Sequence, residues 1–155
     1  MGEVMFYHLT TTPLARALPD LLQRALDRGW PVVLRAGAET ALPGLDDLLW
    51  SFDDASFLPH GTAEMGQDAR QPVFLTTRAE NPNGAKVLML VEGARVDPGE
   101  AAAYDRVCLL FDGRDSASLA AAREDWVRVR DGGVSGIYWA QKDGPWSEQA
   151  RTEPG

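Results

Sequence analysis

The stretch that decides the fold runs from Arg106 to Gly133 and reads RVCLLFDGRDSASLAAAREDWVRVRDGG. Its opening, RVCLLF, carries an apolar run of the kind found in strands that are covered on both faces of a sheet. From Asp115 onward the spacing is helical, and Gly132-Gly133 end the helix. A buried strand followed closely by a helix indicates an α/β protein with a largely parallel sheet.

Apolar runs of strand length alternate with helical patterns along the rest of the chain. The predicted strands are Val4–Leu9, Pro31–Arg35, Pro72–Thr77 and Lys86–Val91, with Ser135–Gln141 as a last strand or an ordered extension. Helices are predicted from about Leu14 to Gly29, over Leu45–Phe52 and, as a short helix, over Asp97–Tyr104. We therefore predict one three-layer α/β domain over residues 1–146 and a polar, frayed C-terminal tail over residues 147–155.

Composition and charge exclude several classes of function. A net charge of −8 argues against wrapping of nucleic acid, which needs a basic face, so no direct nucleic-acid partner is expected. Cys108 is the one cysteine, so no internal disulfide forms and a reducing compartment is expected. No run has the length of a membrane span, and the start MGEVMFYHL lacks a secretory signal. The sequence predicts a cytoplasmic protein without a membrane partner.

Motifs for cofactors and catalysis are absent from the sequence. Neither GxxxxGK[ST] nor GxGxxG is present, so we expect no P-loop and no nucleotide cofactor. His8, His60 and Cys108 are not at metal-ligand spacing, and no GxSxG elbow occurs. His60 lies in the long irregular stretch 53–70, DDASFLPHGTAEMGQDAR, a type of loop that is usually functional or disordered. One alternative function is therefore a small hydrolase that uses His60. The simpler interpretation is that the SFLPH segment anchors the loop.

The helix after Asp115 places Arg123, Trp126 and Arg130 on one side, at spacings of three and four residues. Two guanidinium groups beside an indole make a receptor for a carboxylate that is attached to an apolar or aromatic group. The competing interpretation is a core-facing stripe with the arginines extended along its edge. The core-facing stripe would comprise Leu119, Ala122, Trp126 and Val129. Arg128 points to the opposite face and is expected to be a solvated charge.

Several segments, in this order, resemble the chi subunit family of bacterial DNA polymerase III between about Glu3 and Trp139. They are MFYHL, RGWPVVLRAG, LDDLLWSFDDASFLPHG, QPVFLTT, YDRVCLLFDG and AREDWVRVRDGG. The most specific part is LDxxLW followed shortly by SFxPH. The resemblance implies a Rossmann-like fold without a P-loop and a clamp-loader accessory subunit with no enzymatic activity or cofactor. It also implies two partners, the psi subunit and the acidic C-terminal tail of single-stranded DNA-binding protein.

The resemblance also implies which residues form the tail-binding site. The family pattern of arginine, aromatic and basic residue on the last long helix matches Arg123, Trp126 and Arg130. Phe57 matches the apolar wall of the pocket. Val127 stands where the family usually has a basic residue, next to the aromatic one. The site is thus expected to be a binding site with no catalytic residue and no metal. The alternatives left open are a Rossmann-like hydrolase or nucleotide-binding enzyme that uses His60, and a direct nucleic-acid binder.

Overall fold

The computed structural model describes residues 3–10, 14–51, 60–62, 73–81, 84–141 and 146–152. Within these ranges the chain forms one eight-stranded sheet and three α-helices, which confirms the predicted α/β class. The helices are α1 (Leu14–Asp27), α2 (Leu42–Ser51) and α3 (Ser116–Asp131). The strands are β1 (Glu3–Leu9), β2 (Val32–Ala36), β3 (His60–Thr62), β4 (Val73–Thr76), β5 (Val87–Val91), β6 (Arg106–Asp112), β7 (Gly136–Gln141) and β8 (Trp146–Thr152).

The sheet is parallel except at one edge, as the sequence predicts. Its strand order is β3-β4-β2-β5-β6-β1-β7-β8. β1 lies between β6 and β7 and is parallel to both, with Phe6 opposite Leu109 and Tyr138. Only β8 runs antiparallel, beside β7. The five-residue strands β2 and β5 are buried along their whole length, as expected for strands that are covered on both faces.

Helices cover both faces of the sheet and give the three-layer arrangement. On one face, Leu18, Leu22 and Ala25 of α1 pack with Leu45 of α2 in one apolar cluster. On the other face, Ala122 and Val129 of α3 pack with Phe6, Leu109 and Tyr104 in a second cluster. Each fully buried leucine of this kind contributes about 1.5–3 kcal/mol to folding. The second cluster fixes α3 over β6, β1 and β7, and this placement positions the candidate site.

The prediction that the C-terminal tail is frayed is wrong for residues 147–152. Residues 146–152 form β8, which pairs antiparallel with β7. The Thr152 hydroxyl accepts from the Gly136 amide at 2.8 Å and donates to the Val134 carbonyl at 2.9 Å. The segment WSEQART is polar because most of this edge strand faces solvent, and its order comes from backbone pairing that has no periodic signal in the sequence.

Two further predictions of local structure need correction. The predicted helix over Asp97–Tyr104 is reduced to a single 3-10 turn at Ala101–Ala103, because Tyr104 is already extended and leads into β6. The stretch 53–70, which we predicted to be irregular, contains the short strand β3, paired in parallel with β4 so that His60 lies opposite Val73. The remainder of that stretch, including Phe57, lies outside the described residues.

Candidate functional site

Helix α3 begins immediately after β6 because Asp115 caps it. The Asp115 carboxylate accepts from the Ser118 amide at 3.0 Å and from the Ser118 hydroxyl at 2.6 Å. These two hydrogen bonds hold the pKa of Asp115 below its usual range. The helix ends at Asp131, and the amide of Gly132 donates to the Arg128 carbonyl. Because the cap fixes the residue at which α3 begins, it also fixes which side chains lie on the outer face of the helix.

Trp126 lies at the boundary between the core and the surface. It is half-buried and meets the Phe6 ring edge-on, with centroids 5.2 Å apart and an interplanar angle of 78°. It also meets Tyr138 at 5.8 Å and 90°. Gly136 lies beneath the helix: a Cβ there would be 3.1 Å from Val129 Cγ1 and in ordinary contact, at 3.4 Å, with the Trp126 ring. The core interpretation of Trp126 is therefore correct for one edge of the indole, while the other edge reaches the surface.

The outer surface of α3 presents Arg123, Val127 and Arg130 next to Trp126, and we call these four residues the Arg123 face. Both arginines are exposed. Arg130 has only an exposed ion pair with neighbouring Asp131, at 3.2 Å. The Arg123 side chain has no hydrogen bond or ion pair with any residue in the described ranges. Val127 is 41% exposed, the one large apolar side chain so exposed among those the structure describes, and it lies between the two arginines.

A histidine–tyrosine pair beside the Arg123 face was not predicted as part of it. His8 Nδ1 and the Tyr138 hydroxyl are 2.8 Å apart. Burial lowers the pKa of His8, the charge of Arg123 lowers it further, and Asp112 opposes both. Burial raises the pKa of Tyr138, against the effect of Arg123. At neutral pH the pair is therefore uncharged. The pair is also close enough to Arg123 for the guanidinium charge to lower the pKa of both groups.

The sequence contained a partial signal for this pair. Phe6 and His8 are two positions apart in a strand, so they face the same side of the sheet, which is the α3 side. A Cβ at Gly113 would lie 1.8 Å from His8 Nε2, so only a glycine leaves room for the imidazole ring. The contact with Tyr138, however, joins residues 130 positions apart, and neither helical nor strand periodicity reports such a contact.

Arg128 is not the solvated charge that we predicted. It donates to Asp125 at 2.7 Å and also to the Val96 carbonyl. Asp125 is 1% exposed and also accepts from Arg95 at 2.8 Å and from the Val96 amide at 3.0 Å. A buried carboxylate requires such partners. Arg128 therefore stabilises the attachment of α3 to the segment before the 3-10 turn, whereas Arg123 and Arg130 remain available to a partner.

The structure places Arg123, Trp126 and Arg130 on one side of α3, and their role in binding a partner stays a prediction. Phe57 lies outside the described residues, so its membership of the site stays a prediction. His60 lies in β3, five strands from β1 in the sheet order. At about 4.8 Å per strand, this separation is roughly 24 Å. His60 is thus far from the Arg123 face, and its side chain is outside the described part of the chain.

A crevice of about 490 Å³ lies at the carboxyl ends of β1, β5 and β6, where α/β proteins commonly bind nucleotides. Its ionisable lining is mainly acidic, and each of its two arginines is near a carboxylate: Arg95 with Asp125 at 2.8 Å and Arg114 with Asp112 at 3.7 Å. Such a lining repels a polyphosphate. Among the described residues there is also no cluster of three potential metal ligands.

Comparison with known proteins identifies the family. The family model described as DNA polymerase III chi subunit, HolC, matches residues 1–136. The chain belongs to the DNA polymerase III chi subunit family. A relative from Pseudomonas aeruginosa PAO1, named DNA polymerase III subunit chi, is 32% identical over 136 residues, which are 86% of this chain and 92% of that protein.

A second chi relative is matched over a shorter region. The protein of Rickettsia prowazekii named probable DNA polymerase III subunit chi is 26% identical over 91 residues. That alignment covers 59% of this chain and about half, 55%, of the Rickettsia protein. In the described part of this chi-family chain, no helix has the length and apolar character needed to cross a bilayer.

Proposed function

We propose that this chain is a non-catalytic accessory subunit of bacterial DNA polymerase III. In this proposal it links the clamp loader to single-stranded DNA-binding protein by binding the acidic C-terminal tail of that protein. The observation that carries the proposal is the unpaired guanidinium of Arg123, held beside the half-exposed indole of Trp126 and the exposed Val127. An exposed cation next to apolar surface is suited to a ligand that has both a carboxylate and an apolar group.

The spacing of the two arginines suits a tail with more than one negative charge. Arg123 and Arg130 are seven positions apart in α3, which places them about 10 Å apart along the helix axis. That span leaves room for a separate carboxylate on each arginine, since each guanidinium has its own set of donors. We therefore assign the terminal carboxylate of the tail to one arginine and an acidic side chain upstream of it to the other.

The apolar end of the tail would lie on Trp126 and Val127. Where the family usually has a basic residue, Val127 replaces a charge with apolar surface between the two arginines. The consequence for this chain is a site that relies on fewer cations and more apolar contact. Tyr138 contributes to the base of this surface because its ring packs against Trp126 at 5.8 Å. Phe57 would complete the wall of the pocket.

The other parts of the proposal follow from the family. The partner that anchors this subunit would be psi or another clamp-loader subunit, and the site of action would be the cytoplasm. Nothing in the described structure favours the His60 hydrolase: the cysteine that could serve as a nucleophile, Cys108, is buried, and burial raises its pKa to about 12. A buried thiol with that pKa is not a nucleophile at neutral pH.

A peptide titration tests the tail-binding site. The probe is a labelled acidic peptide with a free carboxylate that ends in Pro-Phe, the apolar end that the family resemblance implies for the tail. The same peptide with a C-terminal amide is the matched control peptide. Charge-assisted hydrogen bonds contribute on the order of 1.5–3 kcal/mol each. Arg123→Ala or Arg130→Ala should therefore weaken binding roughly tenfold or more, since each ~1.4 kcal/mol is a factor of ten. Added salt should also weaken it, because both arginines are exposed.

Arg16→Ala is the control for this titration. Arg16 is an exposed arginine in α1, on the opposite face of the sheet, so its loss should leave the affinity unchanged. Arg128→Ala is not suitable as a control, because it removes a contact of the buried Asp125. Equal affinities for wild type, Arg123→Ala and Arg130→Ala would show that the peptide does not bind at the Arg123 face.

A further inference from the structure

A second basic and aromatic site lies on the opposite face of the sheet from α3. A cavity of about 100 Å³ opens between the last two turns of α1 and the strands β1, β5 and β6. Its polar and aromatic lining consists of Tyr7, Arg24, Arg28, Trp30 and Arg106, and we call this set the Arg106 pocket. The floor is apolar and includes Val87, Met89 and Cys108.

The three arginines converge on one small volume. The guanidinium of Arg28 lies 5.2 Å from the centroid of the Trp30 ring, and that of Arg106 lies 5.8 Å from it, so the two cations share one indole. Burial raises the pKa of Tyr7, and Arg106, Arg24 and Arg28 all oppose that rise. The positive charges of all three arginines therefore reach the Tyr7 hydroxyl.

This positive charge is only partly neutralised within the chain. Arg24 pairs with Asp20 at 3.2 Å, but both side chains are more than half exposed. Arg106 lies 3.8 Å from Glu3, which is too long for a hydrogen bond. Arg28 has no ion pair with any residue in the described ranges. Exposed pairs of this kind contribute little, so an incoming carboxylate can replace them.

Arg106 keeps hydrogen-bonding capacity that no described residue uses. Its Nε atom is buried and has no hydrogen-bond partner. An unpaired buried donor is costly, and nearly all such groups in proteins have a partner. The donor lies on a side chain that lines the pocket. A carboxylate that enters the pocket would meet the guanidinium groups of Arg106, Arg28 and Arg24 together, which no single surface arginine offers.

We propose that the Arg106 pocket binds an acidic peptide segment of a partner protein, with an apolar side chain on the floor of the pocket and a carboxylate on the arginines. The charge of the pocket is complementary to such a segment, although the chain as a whole carries a net charge of −8. The net charge of −8 disfavours a long polyanion such as a nucleic acid, and the apolar floor suits a single apolar side chain.

The location of the pocket gives it a separate role from that of the Arg123 face. Tyr7 and Cys108 belong to the α1 side of the sheet, whereas Trp126 packs on the α3 side. The sheet therefore separates the two sites, and both can be occupied at the same time. The inference does not depend on the proposed tail binding, because its residues, face and probe are different.

The test is a screen by fluorescence anisotropy with labelled eight-residue peptides. Each acidic peptide carries one apolar residue among aspartates and glutamates, and its matched peptide has asparagine and glutamine in their place. All titrations use the full chain with Arg123→Ala and Arg130→Ala, so that the Arg123 face contributes nothing. A thymidine oligonucleotide and inorganic phosphate serve as competitors.

The expected result is binding of a subset of acidic peptides, with the matched amide peptides weaker by about tenfold or more. Arg106→Gln should weaken the same peptides by a similar factor because it removes one of the three positive charges of the pocket. Arg28→Glu should do the same, and because Arg28 is exposed this variant tests the pocket without a risk to the fold. Arg16→Ala should change nothing.

Three results would overturn the proposal. The first is that no acidic peptide binds. The second is that binding survives both Arg106→Gln and Arg28→Glu. The third is that the oligonucleotide or phosphate displaces the peptides at equal concentration, which would make the pocket a general anion site. None of these results bears on the tail titration with unaltered Arg123, so the two proposals fail separately.

Discussion

Removal of the Asp125 carboxylate should cost far more stability than removal of the carboxylate next to it. Asp125 is 1% exposed and accepts from Arg95 at 2.8 Å, from Arg128 at 2.7 Å and from the Val96 amide at 3.0 Å. Breaking a buried pair costs about 3–5 kcal/mol. The arginine side chains are 44% and 50% exposed, so water can solvate them in the variant and the cost is at the lower end. We expect Asp125→Ala to lose about 3 kcal/mol.

The assay is urea denaturation at pH 7, with thermal denaturation as a second measure. A loss of about 3 kcal/mol corresponds to a fall in Tm of roughly 6–12 °C for a domain of this size. Glu124→Ala is the matched control, because Glu124 also pairs with Arg95 but is 70% exposed. That variant should lose less than about 1 kcal/mol. If the two variants lose the same stability, the burial of Asp125 does not have the energetic role argued above.

Three other variants test the contacts around the candidate site and at the edge of the sheet. Gly113→Ala should lose about 1–3 kcal/mol in urea denaturation, because its Cβ would overlap the His8 ring; an unchanged stability would mean that the ring moves aside freely. The pKa of His8 is lower in the folded chain than its ordinary value of 6.5. The contribution of neutral His8 to the free energy of unfolding is therefore complete above pH 6.5 and is lost as the pH falls through the folded-state pKa. The stability difference between wild type and His8→Gln should therefore shrink from pH 7 to pH 5, and a constant difference would contradict this. Thr152→Val should lose about 1–3 kcal/mol because it leaves the Gly136 amide and the Val134 carbonyl without their partner, and hydrogen exchange of β8 should become faster.

The two sites divide the arginines of the chain into those that hold the fold and those that can meet a partner. Arg35 belongs to the first group: it is 9% exposed and donates to both oxygens of Glu100, at 2.7 and 2.8 Å. Arg128 belongs there as well, through Asp125. Arg123 and Arg106 belong to the second group, because each has a guanidinium group with unused hydrogen-bonding capacity. Residue type alone does not make this distinction.

The sequence by itself determined the fold class, the long helices and central strands, and the side of α3 that carries Arg123 and Arg130. These properties depend on local periodicity: a run such as VCLLF marks a buried strand, and residues three and four positions apart share a helix face. The bounds of β1, β5 and β6 follow the predicted runs to within a residue for the same reason. Local propensity and tertiary packing agree at these positions.

Only the tertiary structure decided which arginines remain unpaired, that residues 146–152 form β8, and that His8 meets Tyr138 beside Arg123. Each of these depends on a partner that is distant in sequence: Val96 and Arg95 lie about 30 residues from Asp125, and His8 lies 130 residues from Tyr138. A sequence pattern reports which face a residue occupies. The chemical state of that residue is set by the groups that the fold brings against it, and these are known only once the chain is folded.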